Sequence, residues 1–314
     1  MLTEFGLIPD IFDASSYSSP EVCDLRLRNL KDVLLQRGLV RDFRQGEWRA
    51  YFSRYEVRWD RRAKELVRKL IAQNRLVCSA AALPQSPQSE VDWCREALAS
   101  HRTEPLTGVI AAASSSGEFE GESIISSIER LDAAAWWTTN YDSVHLRRQT
   151  QEYLTQLRLI LKNANLLMFI DPHLDPRRDS YAEFIDLLLA ARRPGECPAR
   201  IQIHRVCYAG HGSERRVLNQ DNWREAFESL HQQLMEASLV ADVFVWDDFH
   251  DRYLVTDLIG ILMGNGFDIS RDPNEMTTWA RISRAVRENI EREFDYPNNV
   301  SRELRGKFTI GTRV

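Results

Sequence analysis

The sequence predicts an α/β protein in which a mixed or parallel sheet carries helices on its faces, with a smaller N-terminal α/β or α+β domain ahead of it. Two observations carry this. From about Val144 onward, short apolar strand-like runs alternate with amphipathic helical stretches, and each run is too short to be a buried helix. The composition, 43% hydrophobic and 28% charged, supplies ample core for a folded chain of 314 residues.

Taken in order, Ser19 and Pro20 before Cys23, Leu27, Leu30 and Leu34 predict an N-capped helix with one buried stripe, closed by Gly38. Trp59, Ala63, Leu66, Leu70 and Ile71 predict a second helix, and LVCSAAAL at 76–83 a strand before a Pro/Ser/Gln loop. Val91, Cys94 and Leu98 predict a helix near 89–100, and Thr107–Ala113 a buried strand with a small-residue loop, Ser114–Gly117, behind it. The pattern then reads as a long helix from about Val144 to Ala164, the strand NLLMFID and a helix at 178–192. The strand RIQIHRVCYA, a helix at 222–237 and the strands ADVFVWD, RYLVTD and LIGILMG follow. At about 150 residues per domain the length predicts two domains, 1–140 and 141–314, with Trp136 and Trp137 packing at their junction.

The charge balance, 41 Lys plus Arg against 46 Asp plus Glu, gives a net charge of −5, so any polyanion site must be local. No apolar run approaches the roughly 18 residues that cross a bilayer, and the opening MLTEFGLIPDIFD lacks the basic start of a signal peptide. A cytoplasmic protein with no membrane partner is the expectation. The five cysteines, Cys23, Cys78, Cys94, Cys197 and Cys207, form no CxxC pair and are read as reduced thiols. Phosphate-loop, dinucleotide, HExxH and GxSxG motifs are all missing, so neither a cofactor nor a metal is expected.

The stretch FHDRYLVTDLIGILMGNGFD at 249–268 carries the chemistry. His250, Arg252 and Asp257 fit H-x-[K/R]-x4-D, a pattern expected roughly 0.06 times per chain of this composition, or roughly 0.003 times with Gly264 at its offset. On a strand, His250 and Arg252 share one face and present an imidazole and a guanidinium to one phosphate, with Asp257 at the strand end.

These residues resemble the signature of the phospholipase D superfamily, H-x-K-x4-D-x6-G-S-x-N. Asn265 stands in its Ser position, Phe267 in its Asn position and Arg252 in its Lys position. LLMFIDPHLD at 166–175 is similar to the strand and turn that precede the motif in short members, so the resemblance covers about residues 144–314. It implies a phospholipase D-like sheet and metal-independent phosphodiester cleavage. His250 would be the nucleophile that forms a phosphohistidine, Arg252 the phosphate ligand, and Asp257 the group that helps set the imidazole or the local charge. Asn265, His173 and Asp171 would be substrate-binding. One motif implies a homodimer, and short members of this kind imply a DNA or RNA nuclease, including effectors of antiviral defence or restriction, with residues 1–140 recognising substrate or a partner protein. HDR…D…G-x-G-[LF]-D also resembles short bacterial domains and the C-terminal domain of a eukaryotic MIT-domain protein, in which the fold serves binding. The alternative is therefore a catalytically weak module for a partner protein or a phosphate-bearing ligand.

Other signals have plainer readings. Asp171 before Pro172 reads as a turn-forming carboxylate ahead of a catalytic group, His173 equally as a solvent-exposed turn residue, His204 as a satisfied core residue, and His211 as a loop histidine. Residues 40–75 hold 11 Lys plus Arg against 5 Asp plus Glu, interleaved with Trp48, Tyr51, Phe52, Tyr55 and Trp59. Those are ingredients of nucleic-acid binding, but an amphipathic helix with core aromatics is preferred.

Overall fold

A computed structural model describes residues 1–54, 59–138, 142–193, 197–210, 215–296 and 302–312. The protein is α/β, with mixed sheets flanked by helices. The chain divides into two compact units, Leu2–Tyr141 and, together with Met1, Asp142–Val314.

The N-terminal unit is built on a five-stranded parallel sheet: β1 (Thr3–Leu7), β2 (Gly38–Asp42), β3 (Leu76–Cys78), β4 (Gly108–Ala111) and β5 (Ile125–Ser127), in the order β3-β2-β1-β4-β5. Its helices are α1 (Pro20–Arg37), α2 (Phe43–Arg54), α3 (Arg61–Ala72), α4 (Glu90–Thr103) and the single turns α5 (Ala113–Ser116) and α6 (Ala135–Thr138). Ser19 caps α1 by accepting from the Val22 N–H, and Cys23, Leu27, Leu30 and Leu34 form its buried stripe. Gly38 does not close that helix in a left-handed turn: its φ of −96° is extended, and it starts β2 directly. A side chain there would meet Leu34 at 2.7 Å, which is the need the glycine answers. In the centre of the sheet, the buried Arg41 donates from Nε to Glu4 at 2.8 Å and from Nη1 to Ser100 Oγ at 3.0 Å.

Trp136 and Trp137 both pack on Phe5 of β1, with ring centroids 6.0 and 5.7 Å away, inside the N-terminal unit. A Cβ at Gly108 would lie 2.3 Å from the Trp136 ring. Gly108→Ala is therefore expected to destabilise this unit by about 1–3 kcal/mol, read as a lower midpoint in urea unfolding.

The C-terminal unit holds β6 (Ser143–Arg147), β7 (Leu166–Ile170), β8 (Arg200–Val206), β9 (Tyr208–Ala209), β10 (Arg216–Val217), β11 (Val240–Trp246), β12 (Tyr253–Thr256), β13 (Gly260–Met263), β14 (Met276–Ile282) and β15 (Leu304–Gly311). Eight of these form one mixed sheet, β15-β11-β8-β7-β12-β13-β14-β6, while β9 and β10 pair with each other. Strands β7, β8 and β11 run parallel, and the rest of the sheet is antiparallel. The helices are α7 (Thr150–Asn163), α8 (Phe184–Leu189), α9 (Gln220–Ala226), α10 (Glu228–Glu236) and α11 (Arg284–Glu293).

Three expectations change here. Residues 143–147 are an edge strand rather than the start of a helix, because β14 offers them a ladder. The helix at 178–192 shortens to α8 with a 3₁₀ turn at Asp179–Tyr181 before it, and the helix at 222–237 breaks at Phe227. Among the described residues no helix is long and apolar enough to cross a membrane.

One sheet face packs an aromatic box around His204, which is fully buried. Its ring stacks on Phe244 at 4.8 Å and accepts at Nδ1 from Trp246 Nε1 at 3.1 Å. Burial pushes its pKa from 6.5 down to about 3. The unfolded chain takes up this proton near pH 6.5, so stability from the neutral ring is full above that pH and lost as pH falls toward 3. The expected slope is up to about 1.4 kcal/mol per pH unit. Urea unfolding of wild type and His204→Phe between about pH 7 and pH 5 checks this, the variant having the flatter profile.

Candidate functional site

The parallel strands β7, β8 and β11 end at one edge of the sheet, the same edge at which the antiparallel β12 begins. Open sheets collect their ligands at the carboxyl ends of parallel strands, and the chemistry-bearing residues lie there. The register Tyr253↔Ile170 sets Arg252 beside Asp171.

Asp171 is the fixed point of this edge. It is fully buried and accepts at Oδ1 from the His173 N–H (2.9 Å). Its Oδ2 accepts from the Phe267 N–H (3.1 Å) and the Tyr181 hydroxyl (3.0 Å). Burial pushes its carboxyl above the usual range, against the pull of those donors and of Arg252. Asp171 is thus a structural clamp that ties the turn after β7 to the turn after β13, rather than a surface that touches ligand.

Gly266 completes the clamp. Its φ is +74°, and a Cβ there would lie 2.1 Å from Asp171 Oδ2 and 2.9 Å from Arg252 Cδ. Phe267, in the position of the superfamily's Asn, is a core residue packed on Phe169 and Phe184 at 5.1 and 5.7 Å. Asn265 sits half-buried on the same turn, and His173 is exposed on the turn after β7.

Arg252 lies over this clamp. Its Nε is 3.9 Å from Asp171 Oδ1, a long ion pair, and its side chain is 27% exposed. Among the described residues no acceptor lies within hydrogen-bond distance of its guanidinium, so the fork has capacity for an incoming anion. Asp268 beyond it is held by Arg148 Nη2 at 2.7 Å, and burial pushes the Asp268 carboxyl up.

The motif residues do not form one strand face. Strand β12 begins at Tyr253, so His250 and Arg252 lie in the segment ahead of it. The His250 side chain is 85% exposed, with Asp248 Oδ2 3.8 Å from its Nε2. Asp257 is at the far end of β12, five residues from Arg252 or about 16 Å along a strand. There its Oδ1 accepts from the backbone N–H groups of Asn165 and Leu166, so it joins two strand ends and does not orient the imidazole.

Residues that the motif misses support this edge from beneath. Arg205 is buried in β8 and donates to the Val206 and Tyr208 carbonyls at 2.7 Å, and to the Leu174 carbonyl. Its guanidinium lies 3.1 Å from the centre of the Trp223 ring. Asp175 and Arg177 form a two-pronged pair at 2.8 and 2.9 Å beside it. Only the repeated Gly in GNGFD and the D-P turn gave a sequence hint of this scaffold. Among the described residues no His/Cys/Asp/Glu group could hold a metal ion, and His211 and Tyr55 lie outside those residues. None of the five cysteines is in a disulfide.

No protein-family model matches the chain, and no curated protein matches it. Among solved structures it is similar to TrmBL2, an archaeal chromatin protein whose structure shows a novel mode of DNA binding. The TM-score is 0.30 and the identity 11%, over 76% of this chain and 81% of that one. At that TM-score the likeness carries no inference.

Proposed function

We propose that the C-terminal unit is a phospholipase D-like domain that binds a phosphodiester of nucleic acid at the edge formed by β7, β8 and β12. The observation that supports it is Arg252, a half-buried guanidinium poised over a saturated carboxylate clamp at the carboxyl edge of the sheet, without a hydrogen-bonded protein partner among the described residues. A guanidinium so placed binds two phosphate oxygens at once, and Asp171 beside it is too fully hydrogen-bonded to compete.

Cleavage is the second reading, and two exposed imidazoles at this edge, His250 and His173, favour it. In that reaction His250 forms the P–N bond as the P–O bond breaks. The leaving oxygen takes a proton from a second imidazole, and water then releases the phosphate from His250. Supply of that second imidazole by a second copy, in a homodimer, belongs to the same reading.

Labelled DNA and RNA, single- and double-stranded, incubated with the protein in EDTA separate the two. Cleavage that disappears in His250→Ala establishes the enzyme. Binding that survives His250→Ala and weakens in Arg252→Ala, without cleavage, establishes the binding module.

A further inference from the structure

We infer that the N-terminal unit carries a separate site for one nucleotide, in the cleft between α2 and the loop that leads into α4. The inference stands independently of the reading of the C-terminal unit. The cleft lies at the carboxyl edge of an open parallel sheet, since α2 follows β2 directly and the loop follows β3. Its volume is about 270 Å³, and Glu47, Tyr51, Arg54, Ser86, Gln88 and Trp93 line it. That is just under the roughly 300–1,000 Å³ of small-molecule sites, room for one nucleotide and not for a dinucleotide.

The backbone beneath it is strained. Arg44 and Gln45 are left-handed, with φ of 58° and 55°, and such non-glycine residues cost of order 1–3 kcal/mol each unless the surroundings hold them, whereas Gly46 takes its φ of 101° freely. The holding device is the buried Arg44 guanidinium. It donates to Glu47 (2.9 Å), the Leu83 carbonyl (2.6 Å), Ser86 Oγ (3.3 Å) and the buried Glu96 (3.2 Å). Glu96 in turn accepts from the Ala82 and Leu83 N–H groups at 2.7 and 3.1 Å. One cation thus ties both walls, Glu47 on one side and Ser86 on the other, to a turn that the sequence alone disfavours. Strain maintained in this way is characteristic of a site whose geometry matters.

The walls select the ligand. Glu47, Tyr51 and Arg54 recur at helical spacing on one face of α2. Tyr51 is set edge-on to Trp93 at 5.8 Å and tilted against Trp59 at 6.2 Å, a fixed aromatic wall of the kind that receives a base. The exposed Arg54, one turn on, supplies a guanidinium for phosphate. Glu47, Ser86 and Gln88 supply acceptors and donors for a base edge or sugar hydroxyls. The other aromatics of the segment, Trp48, Phe52 and Trp59, are core.

The shared chemistry is a nucleotide, free or within a single strand. Calorimetric titration of the full chain with the four ribonucleoside 5′-monophosphates, and separately with a short single-stranded oligonucleotide, distinguishes those sources. With the oligonucleotide titrated against the Arg252→Ala protein, so that the C-terminal edge does not contribute, saturable binding is expected, weakened about tenfold or more by Arg54→Ala and by Ala50→Trp, which fills the cleft from an exposed helical position. Binding of the monophosphates assigns a free nucleotide, and binding of the oligonucleotide alone assigns a strand. No binding of either ligand overturns the inference. So does binding that both α2 variants retain.

Discussion

Gly266→Ala is expected to destabilise the C-terminal unit by about 3 kcal/mol or more, a fall of roughly 6–12 °C in its thermal midpoint. Two costs combine. A φ of +74° disfavours any residue with a Cβ, and here that Cβ would overlap Asp171 Oδ2 at 2.1 Å. The carboxylate cannot retreat without abandoning the Phe267 N–H and the Tyr181 hydroxyl in a fully buried setting, where an unsatisfied donor or charge costs more than the bond it made. Arg252, 2.9 Å from the same point, would be displaced too, so ligand affinity should fall with stability. Calorimetric scans of wild type and variant check the first effect. Gly264→Ala makes the comparison: its nearest neighbour is Thr278 O at 3.1 Å, it has no positive φ, and a smaller loss is expected.

Arg252→Ala is expected to leave the fold intact and to weaken nucleic-acid binding about 10- to 100-fold, the range of one or two charge-assisted hydrogen bonds to phosphate. Among the described residues the Arg252 guanidinium makes one ion pair, the long 3.9 Å contact to Asp171, and Asp171 keeps three closer donors when it is removed. Arg252→Lys should recover part of the affinity, because an ammonium keeps the charge and loses the fork. Equilibrium titrations at several salt concentrations check both variants, and loss of one phosphate contact should lower the salt slope by about 1.

How far the sequence revealed this depends on where each residue gets its structure. Local signals were legible: Ser19 and Pro20 start α1, and the apolar runs at 166–170, 200–206 and 240–246 are strands of one sheet. Elements defined by distant partners were not. Ser143–Arg147 reads as helical until β14 is known to pair with it, and TEFGL, MTTWARI and LRGKFTIG gave no strand signal strong enough to be read. Within the site, the motif spacing located Arg252, but it placed His250 and Arg252 on a strand that starts only at Tyr253. It also assigned Asp257 to an imidazole it does not approach, because H-x-R-x4-D is a one-dimensional spacing and β12 separates its ends. Asp171 reads as a turn carboxylate ahead of a catalytic one, and its burial under Gly266 and Tyr181 depends on contacts across the sheet that no local pattern encodes.

The most direct test of the account is the affinity for a labelled oligonucleotide in EDTA, measured for Ala50→Trp and for the same protein also carrying Arg252→Ala, so that the N-terminal cleft is closed in both. A loss of about tenfold or more on removing Arg252, with a shallower salt dependence, is the predicted result. Equal affinities and equal salt slopes in two folded proteins would contradict the assignment of Arg252 as the phosphate anchor.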